Sequence, residues 1–119
     1  MTDKQTANLR AFSHFDKSLR ELVDMEYDLC IYKCSEKNTD MLNCKNSCVT
    51  NVLVPFRYNN HLARDDEDNL YRRCLASKLP NIKQEDYVTC THEIYNDRVR
   101  VLSNYFDTVS VRVLNSIHQ

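Results

Sequence analysis

Glycine is absent from this chain of 119 residues, and proline occurs twice. Without glycine there is no phosphate-cradling loop of the kind nucleotide enzymes use. So few breakers, with 28% charged residues, suit long helices joined by short connections. An excess of one charge is also missing: the formal net charge is −1 and the signs are mixed along the chain. That argues against a nucleic-acid surface or a patch for anionic membranes. No apolar run is long enough for a transmembrane segment, and Met1 to Arg10 is polar, so no secretory signal peptide is expected. No stretch rich in Pro, Gly or Ser divides the chain, which predicts one helical domain over 1–119, with hairpin one at about 3–56 and hairpin two at about 61–117.

What the chain does have is six cysteines in an ordered pattern. Cys30-Ile-Tyr-Lys-Cys34 is followed, nine residues on, by Cys44-Lys-Asn-Ser-Cys48. Spacing of i, i+4 places both thiols of a pair on one helical face. In an antiparallel hairpin, residues whose numbers share a sum lie opposite each other. Cys30 with Cys48 and Cys34 with Cys44 share the sum 78, which places the turn near Thr39 and predicts two nested disulfides. The other two cysteines share the sum 164 about a midpoint just after Pro80-Asn81, so Cys74 is expected to face Cys90. By the same symmetry Lys78 faces Asp86, and an ion pair is expected there in place of an inner disulfide.

The first helix is expected from Thr2-Asp3 to about Lys37, with Gln5 completing a capping box. Phe12, Phe15, Leu19, Leu22, Val23, Tyr27, Leu29, Cys30 and Cys34 form its apolar face. The middle helix is expected from about Asp40 to Leu79, with Leu42, Val49, Val52, Leu53, Phe56, Ala63, Leu70, Cys74 and Leu75 inside. Pro55 removes a backbone donor there, which predicts a kink or break; a kinked, continuous rod makes the three segments similar in length. Asp65-Asp66-Glu67-Asp68 is read as a solvated face with an Asp68–Arg72 ion pair. Asn81 and Gln84 are placed to cap the last helix, where Val88, Tyr95, Val99, Leu102, Phe106, Val109, Val113 and Ile117 repeat at three-, four- and seven-residue steps. The predicted fold is all-α: an antiparallel bundle of three long helices, a middle rod flanked by two arms.

Little in the chain suggests catalysis. Zinc would compete for four cysteines, but its ligands usually come as C-x-x-C knuckles. Redox catalysis favours C-x-x-C at a helix start, whereas these pairs lie deep in helices. His14, His61, His92 and His118 share no triad-like spacing, and His92 is expected on a helix surface. No enzyme, metal or cofactor is predicted.

The twin C-x-x-x-C hairpin resembles the small Tim chaperones of the mitochondrial intermembrane space, where outer cysteines pair with outer and inner with inner. The separation there is longer than the nine residues found here. The layout is similar to a second mitochondrial family that carries four such motifs in a longer chain. Cys30, Cys34, Cys44, Cys48, Cys74 and Cys90 match six of its eight cysteines, with Lys78 and either Asp86 or Ile94 at the two lost places. The resemblance spans roughly residues 27 to 95. It implies import without a cleaved presequence and oxidative trapping in the intermembrane space.

The expected role is a non-catalytic structural or accessory subunit of a large inner-membrane, respiratory-type complex. Its partners would be other subunits, with peripheral contact to the membrane and no nucleic acid. The alternatives are a small-Tim-like chaperone for hydrophobic precursors, or a reduced cytosolic helical adaptor. Three long segments, where a chaperone subunit has two, favour the first.

Overall fold

The structure, a computed structural model, describes residues 2–37 and 40–117. Among these residues it is all-α and has no strand. Helix α1 spans Asp3–Glu36, α2 Met41–Cys48, a π-helical turn Val49–Leu53, α3 Val54–Ala76 and α4 Gln84–Ile117. The turn expected near Thr39 lies outside the described residues.

Local chemistry sets the ends of these helices. Thr2 caps α1 with the full reciprocal box: its hydroxyl accepts from the Gln5 N–H, and the Gln5 side chain accepts from the Thr2 N–H, both at 3.1 Å. Asp40 caps α2 by accepting from the Leu42 N–H at 3.1 Å. At Pro55 the chain stays helical. The π turn immediately before it carries a hydrogen bond from the Val54 N–H to the Val49 carbonyl, so the ladder is re-registered where proline brings no donor. The Pro55 carbonyl accepts from the Asn59 side-chain amide at 2.8 Å.

Two expected boundaries shift. The middle helix ends at Ala76, not Leu79, because its last turn tightens: Lys78 and Leu79 donate to the carbonyls three residues back, Leu75 and Ala76, and the Ser77 hydroxyl takes the Cys74 carbonyl at 2.6 Å. The last helix starts at Gln84, and neither Asn81 nor Gln84 caps it. Asp86 does so, accepting from the Lys83 N–H at 2.9 Å.

Helix α4 packs along both α1 and α3, whereas α1 and α3 approach each other at hardly any point. Leu19 and Val23 of α1, Val52 of the π turn, Ala63 of α3, and Leu102, Val109 and Val113 of α4 form the buried core. Ala63 is fully buried, and its small side chain allows close approach there. Phe15 stacks on Phe106 at 5.0 Å and Phe12 on Tyr95 at 4.5 Å between ring centroids. The apolar pattern of α4 is buried in its middle, while Val88 and Ile117 near its ends are exposed. Leu42, expected inside, is 70% exposed because α2 is only eight residues long and turns a single cysteine face to α1.

The molecule is rod-shaped, 64 × 26 × 18 Å, with a radius of gyration of 18.7 Å. A compact chain of this length would have about 13.5 Å. Its accessible surface, 8312 Å², exceeds the roughly 6,700 Å² expected of a compact monomer of this mass.

Candidate functional site

The cysteines form three bridges: Cys30–Cys48, Cys34–Cys44 and Cys74–Cys90, with Cα atoms 5.9, 5.8 and 5.7 Å apart. These pairs are the ones the shared sums predict, and their separations suit disulfides. The two bridges of the first hairpin touch, with the Cys34 and Cys48 sulfurs 3.7 Å apart. Neither sulfur carries a proton, so this is a packing contact. Cys34, Cys48 and Cys90 are buried at 0–1% exposure, and the bridges are therefore part of the interior. The sulfurs of Cys34, Cys44 and Cys48 lie within 4.8 Å of one another, close enough for metal ligands. Each is consumed in a disulfide here, and a metal would need thiolates.

Lys78 and Asp86 are not brought together. Lys78 lies beyond the end of α3 and is exposed, and the Asp86 carboxylate is used on the Lys83 N–H. The symmetry argument fails at these positions because it assumes that both helices continue to the turn.

A charge cluster that the sequence reading did not single out sits midway along the rod. Arg98 of α4 is 8% exposed. Its guanidinium donates to Glu67 Oε1 at 3.0 Å and Asn60 Oδ1 at 2.6 Å on α3, and pairs with Asp16 Oδ1 at 3.6 Å on α1. One side chain thus ties three helices together. The signal was available: Arg98 lies four residues before Leu102 and three after Tyr95, inside the apolar stripe of α4. A charge at such a position needs partners from neighbouring helices.

Beside it, Asp97 is also 8% exposed and accepts from Arg100 at 2.6 Å, while Asp66 lies 3.5 Å from the same guanidinium. Burial works against ionisation of Asp97, but a hydrogen bond from the Asp66 carboxyl and the Arg100 guanidinium outweigh it and hold its pKa below the usual aspartate value. Asp66 is pushed the other way, raised by its hydrogen bond to Asp97 and by the charge there. The closer contact of Arg100 to Asp97 accords with the opposite signs of the two shifts. Asp97 Oδ2 is buried and receives no N–H or hydroxyl donor.

The acidic run is accordingly not a single solvated face. Glu67 and Asp66 point to α4, Asp65 pairs with His61 at 3.5 Å, and the expected Asp68–Arg72 pair does not form. His92, expected on the surface, is 7% exposed; it sits edge-on to Tyr95 at 5.4 Å, and its Nδ1 has no hydrogen-bond partner. His118 lies outside the described residues.

Farther along, Arg112 reaches back to Glu26 of α1 with two hydrogen bonds of 2.8 and 3.3 Å. Next to this pair an open cavity of about 420 Å³ is bordered by Cys30, Lys33, Asn51 and Ser116. Tyr105, nearby, has a buried hydroxyl with no well-aligned hydrogen bond; burial raises its pKa, and the neighbouring Arg112 guanidinium works against that rise. No described helix is long and apolar enough to cross a membrane. No protein-family model, curated protein or solved structure matches this chain.

Proposed function

We propose that the chain is a non-catalytic, disulfide-stapled accessory subunit that docks on the intermembrane-space side of a large mitochondrial inner-membrane assembly. Its fold in this reading is an antiparallel bundle of three long helices, with the middle one continuous through the π turn. The observation that carries the proposal is the nested pair of bridges between α1 and α2, outer cysteine with outer and inner with inner, the pairing order of intermembrane-space twin C-x-x-x-C proteins. Buried, fully paired cysteines favour an oxidising compartment. The rod shape adds support: a surface well above that of a compact monomer, with exposed Met25, Tyr32, Tyr58 and Leu62, suits a protein whose sides are covered by neighbours. The buried carboxylates and guanidinium are satisfied mainly by one another across helices, an arrangement that serves packing more than substrate chemistry.

Native electrophoresis of gently solubilised mitochondria, with immunodetection, tests this reading. Migration with a megadalton inner-membrane complex is the expected result. A soluble ring of a few subunits would point to a chaperone, and absence from mitochondria would end both readings. Alkylation before mass measurement should leave all six cysteines unmodified; six modified thiols would mean a reduced adaptor.

A further inference from the structure

Helix α1 uses its carboxylates in two ways. Where it is covered, they meet arginines: Asp16 pairs with Arg98, and Glu26 with Arg112. Away from that side Met25 is 44% exposed and Tyr32 60% exposed, and Leu29 lies between them, half-buried because part of it packs on the core. The spacing of four and three residues makes these side chains one continuous apolar strip. They line an open groove of about 500 Å³ whose other lining residues are Glu21, Asp24 and Asp28. No lysine or arginine is among them. Among the described residues Glu21 has only an exposed contact with Lys17 at 4.0 Å, and Asp24 and Asp28 have no ion-pair partner. Three acidic groups crowded around exposed apolar side chains repel one another, and that arrangement is relieved by a surface bringing cations.

We propose that this face of α1 is a docking site for a partner's amphipathic helix, one with an apolar strip flanked by lysine or arginine. The partner's apolar side chains fill the space between Met25, Leu29 and Tyr32, and its cations neutralise Glu21, Asp24 and Asp28. Charge complementarity selects this occupant over a second copy of the chain. The exposed apolar strip on α3, Val54, Tyr58 and Leu62, has Asp65 and Asp68 as well as Arg57 and Arg64 beside it, and this mixed charge suits the acidic groove less than a wholly cationic flank. The inference deepens the docking-subunit reading and rests on it for the partner's setting. The two fail separately: a chain that migrates with a large assembly but ignores the helix loses only the groove.

The test uses the full oxidised chain and a fluorescein-labelled synthetic helix with leucine on one face and lysine on its flanks, read by anisotropy at low and physiological salt. Binding should weaken with salt, and a leucine/glutamate helix should not bind. Asp24→Lys with Asp28→Lys should weaken binding at least tenfold, as should Met25→Ser with Tyr32→Ser. All four positions are exposed, so unchanged circular dichroism verifies the fold. Leu114→Ser on the exposed end of α4, and Asp65→Lys with Asp68→Lys at the other acidic site, should leave binding as it was. The proposal is overturned if the lysine helix does not bind, or if the Asp65 and Asp68 changes cost as much as those at Asp24 and Asp28. It is overturned equally if sedimentation shows a dimer that Met25→Ser with Tyr32→Ser dissolves, because the face then belongs to a second copy.

Discussion

Between α1 and α2, two bridges sit one helical turn apart and no ion pair among the described residues joins the helices; between α3 and α4, one bridge is supplemented by Arg98–Glu67 and Arg100–Asp66. The reason lies in what each shorter helix can bury. Helix α2 has eight residues, and apart from Cys48, buried, and Cys44, half-buried, its side chains are exposed. So short a helix is not stable alone in water and has almost no apolar face to pack. Helix α3 has 23 residues, contributes Ala63 and half-buried Phe56 to the core, and carries two carboxylates to α4. Covalent links hold the segment that packing cannot, and one link suffices where packing and charge contribute.

Removing bridges should break this comparison most sharply. Each closes a loop whose loss costs about 3 kcal/mol by chain entropy, and the nested pair is not additive. Replacing Cys30, Cys34, Cys44 and Cys48 by Ser is expected to melt α2, with amide exchange protection lost across Met41–Cys48. Replacing Cys74 and Cys90 by Ser should lower the denaturation midpoint but leave protection in α3 and α4. Equal loss of protection in both hairpins would show that α2 is held by something other than its cysteines. Arg98→Met comes next in size, at about 3 kcal/mol in urea unfolding, because Glu67 is left without its cation and Asp16 keeps only Arg20. Adding Glu67→Leu should recover part of that loss, whereas a simple sum of two losses would mean the side chains act independently. Tyr105→Phe removes a buried hydroxyl that has no well-aligned hydrogen bond and should change stability by less than about 1 kcal/mol, with any change stabilising.

The smallest effect concerns pH. Asp97, with its pKa lowered, contributes stability that is present above its unfolded value and lost as pH falls through its folded one. Asp66 has the opposite sign: its raised pKa means that ionisation costs stability as pH rises through the folded value. Asp66→Asn should therefore raise the melting temperature slightly at pH 7, with the gain disappearing below about pH 4, where the wild-type carboxyl is protonated. A gain that persists at low pH would locate its cause elsewhere.

The helical class and the ends of α1 were legible in the sequence because capping and apolar spacing are local signals, and Thr2, Gln5 and the Leu19–Val23 stripe express both. Cysteine positions carried long-range information for the same geometric reason: opposed residues in a hairpin share a sum. That rule failed at Lys78 and Asp86, where the helix ends are set by Ser77 and Lys83 backbone hydrogen bonds that no pairing rule describes. The Arg98 cluster was hidden because its partners lie 31, 38 and 82 positions away, and only the charge inside the α4 stripe marked it. Which helix is central was also not legible. The middle segment meets both arms as expected, α1 through α2 and the π turn and α4 through α3, but α4 also packs along α1, since apolar periodicity shows how wide a buried face is and not whom it meets.

The π turn before Pro55 has a consequence for that arrangement. Five residues wound with i→i+5 hydrogen bonds rotate less per residue than α-helix, so the chain leaves the turn roughly a quarter revolution out of phase with the way it entered. On a straight α-helix Ala63 and Cys74 would lie roughly a quarter revolution from Cys44 and Cys48. The lag at the turn cancels that drift, so one face of the rod meets α1 through the first cysteine pair and then α4 through Cys74.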